Sequence, residues 1–452
     1  MSDVGNEFDL IVIGGGSGGL AGAFRAAGHG ARVALLEPGP LGGTCVNLGC
    51  VPKKAMWLAA DVAHKIGQAR QLGFDLPASA PLDWRELILH RARYIENIHA
   101  AYRARLAREG VALLPYRGEL TGMPGEVRCG DLRWRARHLL VATGGHPLKP
   151  EIPGAELGGV SDDFFALTEA PARVALIGGG YIAVELAGVL QALGSQVEVF
   201  VRQSSLLTSF DAEVAARLAE DMAQAGVRWH FDTEVSALRR EADGRTALVV
   251  GEGAHGGFDR VLFATGRGPN SRGIGLEAAS VRCNARGQIE IDAFQNTCVP
   301  GVYATGDVTA QPALTPYAIA ASRRLMDRLF GSQPEARACF DEVPTVVFSH
   351  PPIAKLGLSE AEARERHGGD LRILRADFRP MLSALADCPT QSLFKLICAG
   401  PEDRVVGLHL IGEGCDEILQ GFAVAMRMGM KLSDLRDTLA IHPTSAEEVV
   451  LI

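Results

Sequence analysis

No run in this 452-residue chain approaches the ~18–20 uninterrupted apolar residues of a membrane-spanning helix, and MSDVGNEFDL at its start lacks an apolar signal region. Excess positive charge is also missing: the formal charge is −8, which gives no electrostatic reason to expect a nucleic-acid partner. Cysteine is sparse and scattered, nine residues in all, an odd number that argues against a secreted disulfide framework. These absences predict a cytoplasmic globular protein of two to four domains in a reducing compartment, where a close cysteine pair more often catalyses than staples. Glycine, by contrast, is abundant at 53 residues, as tight turns around nucleotide phosphates require.

One stretch organises the rest. In GGTCVNLGCVPKK, Gly42–Lys54, Cys45 and Cys50 stand five positions apart. A disulfide needs Cα atoms about 4.4–6.8 Å apart, whereas five helical residues rise about 7.5 Å and point to different faces. A Cys45–Cys50 bond therefore requires a distorted helical turn. Pro52 contributes to that distortion, because it donates no hydrogen bond and its ring opposes the Leu48 carbonyl. A bond in such a setting is readily reduced. The alternative is a pair of structural thiols; the upstream sequence favours redox chemistry.

That upstream sequence is FDLIVI (Phe8–Ile13), a short buried strand running into Gly14-Gly15-Gly16-Ser17-Gly18-Gly19 and an alanine-rich helix. A second strand, ARVALLE, ends on Glu37, 23 residues after Gly14. Glycines at Gly14, Gly16 and Gly19 permit a tight turn and close approach of a pyrophosphate to the helix N-terminus, and Glu37 is placed to accept from a ribose hydroxyl. A cofactor beside a cysteine pair suggests flavin, which exchanges two electrons with disulfides. Residues from Pro52 to Arg108 read mostly helical, with Tyr94 and Tyr102 eight apart and able to share a face. Strands follow to LLVATGG, which contains Thr143 and Gly144, and Pro147, Pro150 and Pro153 mark a boundary.

A second dinucleotide unit begins at Arg173, with RVALIG leading into Gly178-Gly179-Gly180-Tyr181-Ile182 and a helix over Val184–Leu193. Here the position matching Glu37 is Val201, followed by Arg202. Loss of the acid and gain of a cation favour a 2′-phosphate, hence NADPH. Glu185, on that helix, reads as a solvated surface acid when taken alone. DRVLFATGRGPN returns the chain through Gly266 and Arg267, and GVYATGDV places Asp307 to bond a sugar or ribityl hydroxyl, or to serve as a turn residue. A helix over Pro316–Phe330 carries Arg323. At the C-terminus AIHPTSAEEVVLI sets His442 beside Thr444, a helix cap, and near Glu447 and Glu448, which can orient it.

In this order, the two dinucleotide units, CVNLGC, ATGD and HPTSAEE resemble the FAD-dependent pyridine-nucleotide disulfide oxidoreductases from Phe8 to Glu448, and VPKK is closer to the members that reduce glutathione disulfide than to the dihydrolipoamide dehydrogenases. The resemblance implies an α/β chain with two Rossmann-like dinucleotide-binding domains and a C-terminal α+β dimerisation domain. The expected segments are 1–144 (FAD, first part), 145–269 (NADPH), 270–340 (FAD, second part) and 341–452 (dimerisation). It further implies a homodimer that moves electrons from NADPH through FAD to Cys45–Cys50 and on to glutathione disulfide, with no metal, nucleic acid or membrane involved. Cys45 would attack the substrate and Cys50 would face the flavin. Lys53 would pair with Glu185 near the flavin, and Tyr181 would be a lid over the nicotinamide site.

By the same resemblance, Ser17, Gly18, Glu37, Thr44, Thr143, Gly144, Asp307 and Thr315 would hold FAD. Gly178, Gly180, Ile182, Arg202, Gly266 and Arg267 would line the NADPH side. His442, oriented by Glu447, would act across the dimer, while Tyr94, Tyr102, Arg323 and Glu448 would contact glutathione disulfide. Thr208 stands where NADPH-binding members carry a second arginine. Phe24 replaces a substrate-carboxylate arginine, although Arg25 matches, and Arg105 is spaced to restore the lost charge. The rival readings are a reductase of another low-molecular-weight disulfide and a redox-sensing flavoprotein without turnover. The remaining cysteines, Cys129, Cys283, Cys298, Cys339, Cys388, Cys398 and Cys415, read as core or surface thiols.

Overall fold

The computed structural model describes residues 6–76, 82–338 and 342–452; Cys339 and the expected boundary at 340/341 lie outside them. Two compact units divide the chain. One comprises Met1–Lys53, Ile88–Leu148 and Gly266–Cys339, the other Lys54–Leu87, Lys149–Thr265 and Phe340–Ile452.

The first unit is built on Glu7–Ile13 (β1), which pairs in parallel with Val33–Leu36 (β2) on one side and Leu132–Val141 on the other. Ala112–Leu114 extends the sheet beyond β2, and Val302–Ala304 adds in parallel to Leu132–Val141. Alternation along β1 divides its side chains between two cores, as a strand period of two dictates. Ile11 and Ile13 pack with Leu36 and Leu139 on one face, and Leu10 and Val12 pack with Leu35 and Leu140 on the other. A sheet buried on both faces explains why FDLIVI is continuously apolar. Ser17–Gly28 (α1) joins β1 to β2.

In the second unit, Arg173–Ile177 lies in a five-stranded parallel sheet between Gln196–Phe200 and Arg260–Phe263, flanked by Arg228–His230 and Gly159–Val160. The helix after its glycine turn spans Tyr181–Ala192, starting earlier than expected because Gly180 supplies the extended N-cap. A second five-stranded sheet, antiparallel, runs Thr345–Val347, Ile353–Gly357, Arg404–Ile411, Ser392–Ala399, Leu371–Phe378. Lys395 lies on its most buried strand, only 2% exposed, with Nζ at 2.9 Å from Asp211, 2.9 Å from Glu213 and 2.8 Å from Glu360. A buried ammonium is tolerable only with partners of this kind. Among the described residues no helix is long and apolar enough to cross a membrane.

Candidate active site

Cys45 lies in the short helix Gly43–Asn47 (α2), and Cys50 opens the long helix Cys50–Gln71 (α3). The break between them is real: Leu48 adopts φ −141° and ψ 28°, outside the helical basin. Gly49 follows, and a Cβ there would stand 2.9 Å from the Thr44 carbonyl oxygen. Pro52 is the third residue of α3, within the turn whose N–H groups have no intrahelical acceptor. The distorted turn expected from the spacing is thus present, and both cysteines are thiols in this structure.

Their electrostatics are asymmetric. The Cys50 thiol donates to Cys45 and is the strongest influence on it; with help from the Thr315 and Ser17 hydroxyls it outweighs burial and holds Cys45 at about 6. Cys50 is pushed upward, first by donating that hydrogen bond and then by burial, while Thr315 and Lys53 act in the opposite direction. Its Sγ lies 3.7 Å from Thr315 Oγ1. One proton is shared by two thiols, and the negative charge rests on Cys45.

The pair is fastened to the first glycine turn. Gly42 N donates to Gly15 O at 2.8 Å, and Gly16 and Gly42 form an isolated parallel bridge. A Cβ on Gly43 would stand 2.8 Å from Gly16 Cα. Asn47 completes the loop: its Nδ2 donates to Gly43 O at 2.8 Å and to Leu41 O at 3.1 Å, and its Oδ1 lies 2.8 Å from Nε2 of buried His99. Neither Asn47 nor His99 was singled out from the sequence, because no local pattern connects residues 52 positions apart.

The same turn has the shape of a dinucleotide cradle. Gly14 has φ +106°, and a Cβ there would meet Ala142 O at 2.4 Å; one on Gly19 would meet Gly14 O at 1.9 Å. The N-terminus of α1 has no side-chain cap and no acid in its first turn, so its N–H groups are available to a pyrophosphate. Glu37 Oε2 accepts from Gly15 N at 2.7 Å and Oε1 accepts from Gly39 N at 2.8 Å, which leaves each oxygen able to accept a ribose hydroxyl. Gly18 is buried and Ser17 half-buried, while Thr44 is exposed. Thr143 Oγ1 donates to Asn270 O at 2.8 Å, and Gly144 O accepts from Asn270 N at 2.9 Å. Burial pushes the Asp307 carboxyl up and Arg267 counters it; the ion pair measures 4.0 Å. Arg267 also donates to Gly145 O at 2.8 Å, so its guanidinium, expected on the nicotinamide-nucleotide side, is engaged beside Asp307 within the first unit. The residues present therefore fit a dinucleotide with a flavin's ribityl hydroxyls.

Substrate-side residues divide. Tyr102 packs with the core beneath α1, and its hydroxyl is raised first by burial and then by the Cys45 charge. Tyr94 is 58% exposed, so the two tyrosines of Trp84–Arg108 (α4) do not share an environment. Arg323 is exposed. Arg25 Nε is paired with Asp327 at 2.5 Å, a buried acid that His29 also contacts at 3.0 Å. The Arg105 guanidinium lies 4.0 Å over the Phe24 ring and its Nε donates to Glu109 at 2.7 Å.

In the second unit Gly178 repeats Gly14, with φ +135° and a Cβ that would meet Ala264 O at 2.4 Å; Gly180 faces open space. The helix from Tyr181 is uncapped by side chains. Tyr181 is 48% exposed, Ile182 is half-buried, and Gly266 O accepts from Leu148 N within the first unit. Arg202 and Thr208 are both exposed on a loop tied back by Leu207 N donating to Gly179 O at 2.8 Å. Glu185 corrects the surface-acid reading: it is 5% exposed and accepts from Phe348 N at 2.9 Å. Its expected partner Lys53 belongs to the first unit. His442 is exposed, with Nδ1 at 2.9 Å from Glu447 Oε2, which leaves Nε2 to face outward. Thr444 and Glu447 bond reciprocally, Glu447 N to Thr444 Oγ1 at 3.3 Å and Thr444 N to Glu447 Oε1 at 3.2 Å, though the helix itself begins only at Glu447. Glu448 is half-buried beside them.

A dithiol with one acidified sulfur, fastened to a dinucleotide turn in a chain with a second such turn, defines a nucleotide-dependent disulfide oxidoreductase. The pattern described as "Pyridine nucleotide-disulphide oxidoreductase" matches residues 8–322, and that of its "dimerisation domain" matches residues 343–451. The chain belongs to this family. Among its relatives, glutathione reductase of Schizosaccharomyces pombe is 42% identical over 464 aligned residues that cover 100% of both proteins.

Proposed function

We propose that this chain is a cytoplasmic, homodimeric FAD enzyme that uses NADPH to reduce glutathione disulfide to two glutathione. The observation that carries the proposal is the Cys45–Cys50 dithiol, in which one sulfur is held as thiolate near neutral pH. The supporting division of labour assigns 1–144 and 270–340 to FAD, 145–269 to NADPH and 341–452 to dimerisation.

When bound, FAD would supply two-electron transfer between the NADPH hydride and the Cys45–Cys50 disulfide. The chain's own groups do the rest. The turns at Gly14–Gly19 and Gly178–Gly180 would receive the two pyrophosphates, with Ser17, Thr44, Thr143, Gly144 and Thr315 around the first. Glu37 would accept from ribose, Asp307 from the ribityl chain, and Arg202 would meet the 2′-phosphate. In the role the family resemblance assigns, Lys53 and Glu185 would each serve the flavin's reactive edge, Tyr181 and Ile182 would border the nicotinamide, and Gly266 and Arg267 would contribute to NADPH binding from their own unit. The Cys45 thiolate attacks one sulfur of glutathione disulfide, the S–S bond breaks, and the departing glutathione thiolate takes a proton from His442 across the dimer, with Glu447 orienting the ring. Cys50 passes its proton to the same imidazole and attacks Cys45 Sγ. The second glutathione leaves, again protonated there, and the Cys45–Cys50 bond closes. Tyr94, Tyr102, Arg323 and Glu448 position the substrate.

The test is steady-state NADPH oxidation with glutathione disulfide and, separately, cystine, using wild type, Cys45→Ser and Cys50→Ser. Turnover with glutathione disulfide that both substitutions abolish is expected. Turnover with cystine alone would reassign the substrate, and undiminished turnover in Cys45→Ser would remove the thiol relay.

A further inference from the structure

The second unit contains a side-chain cluster that plays no part in the chemistry above. Glu198 lies on Gln196–Phe200, His230 ends the neighbouring strand Arg228–His230, and His255 lies on Gly253–Phe258 of the three-stranded sheet. One carboxylate oxygen and one ring nitrogen from each histidine all lie within 4.8 Å of one another. We propose that Glu198, His230 and His255 form a divalent-metal site of the zinc class, with water as the fourth ligand.

Three features support this. First, the polarity of Glu198 is divided. Arg173 Nη2 and Nε, at 2.6 and 3.2 Å, and Arg228 Nη1, at 3.9 Å, all approach Oε1. Oε2 lies 2.9 Å from His230 Nε2. One oxygen is therefore held by an outer cation while the other points into the cluster, the arrangement by which outer partners orient a metal-bound carboxylate. Second, the two imidazoles do not stack on each other, with centroids 5.0 Å apart and planes crossing at 70°, and one nitrogen of each lies within 4.8 Å of the other. Third, the ring positions are fixed by packing. Phe200 stacks on His230 at 4.4 Å and 8° and meets His255 edge-on at 5.2 Å.

Zinc bonds of about 2.0–2.2 Å to nitrogen and oxygen in a tetrahedral shell require ligand atoms roughly 3.3–3.6 Å apart, so the widest pair must close by about 1 Å. Both histidines are half-buried, which leaves a path for the ion. Binding replaces the contact between His230 Nε2 and Glu198 Oε2 with bonds to the ion. Nitrogen and carboxylate donors of this kind suit Zn²⁺, with Ni²⁺ and Cu²⁺ as competitors. An ion here would clip together three strands of the second unit. One of them ends one residue before the Val201-Arg202 pair, whose Val201 N donates to His230 O at 2.9 Å.

The experiment uses the full-length oxidised enzyme, with Cys45–Cys50 closed and the remaining accessible thiols alkylated so that sulfur cannot compete. Zn²⁺ is titrated against a chromophoric chelator, and X-ray absorption reads the coordination shell. Wild type is expected to take up one Zn²⁺ per subunit with nitrogen and oxygen ligands only. His255→Ala and His230→Gln should each weaken binding at least ~10-fold, with circular dichroism confirming that both variants are folded. Wild-type affinity in the two variants, sulfur in the shell, or no uptake by wild type would each overturn the site.

Discussion

Thr315→Val removes a hydroxyl of nearly the same shape and tests the origin of the Cys45 charge. Thr315 donates to the thiol pair from the first residue of its helix, and for Cys45 it ranks behind the Cys50 thiol and ahead of Ser17. Donors stabilise the thiolate, so removing one must raise the pKa; thiolate is present above that value and lost as pH falls through it. A hydrogen bond to a charged group contributes about 1.5–3 kcal/mol when geometry is good. Sulfur is a weak acceptor, so the lower end of that range applies. At 1.36 kcal/mol per pH unit, the shift is about one unit. The Cys45 midpoint should move from about 6 to about 7. Thiolate at pH 7 then falls from about 90% to about half, and at pH 5 the alkylation rate drops about tenfold. The assay is the pH dependence of iodoacetamide alkylation of the anaerobically reduced enzyme. Cys50→Ala should shift the midpoint further than Thr315→Val, and Ser17→Ala less. A Thr315→Val shift below ~0.3 unit, or a reversed order of the three, refutes the hydrogen-bond account of the acidic thiol.

Four further outcomes are expected. His442→Gln should lower kcat with glutathione disulfide by about 10²–10⁴ while leaving reduction of the dithiol by NADPH unchanged in stopped flow; Glu447→Gln, acting through orientation, should cost less. Thr208→Arg adds a second cation to the exposed Arg202 loop and should raise the NADPH-over-NADH ratio of kcat/KM about tenfold, one charge-assisted hydrogen bond's worth. Arg105→Ala should raise KM for glutathione disulfide several-fold at constant kcat, and an unchanged KM would show that the guanidinium over Phe24 serves only packing. Lys395→Met leaves buried Asp211 without its ammonium and should destabilise the fold by about 3–5 kcal/mol in urea titrations.

Much of the site was legible because it is local. Gly14–Gly19 with Glu37, Gly178–Gly180 with Arg202, and His442 with Glu447 each lie within one strand–turn–helix or one turn, where spacing fixes geometry. The broken helix between Cys45 and Cys50 was legible for the same reason. What escaped was non-local. The bond from His99 to Asn47 spans 52 positions, and the ion pair from Lys395 to Asp211 spans 184. Glu185 looked like a surface acid because helical periodicity marks a face, and only the chain segment at Phe348 shows that this face is covered. Tyr94 and Tyr102 separated for a related reason: eight residues on a helix leave a pair about 80° apart, enough here for one to be solvated and the other packed.

The seam between Gly15-Gly16 and Gly42-Gly43 has a consequence for how this protein can fail. Two backbones meet there with no side chain between them, and Gly43 has no room to admit one: its Cβ would stand 2.8 Å from Gly16 Cα. A methyl group added at Gly43 pushes on the phosphate turn as directly as on the cysteine loop. Substitutions at Gly43 should therefore not yield a half-working molecule that keeps its cofactor but loses its thiol chemistry, or the reverse. The two capacities stand or fall together, and a screen for flavin retention at Gly43 is at once a screen for disulfide turnover.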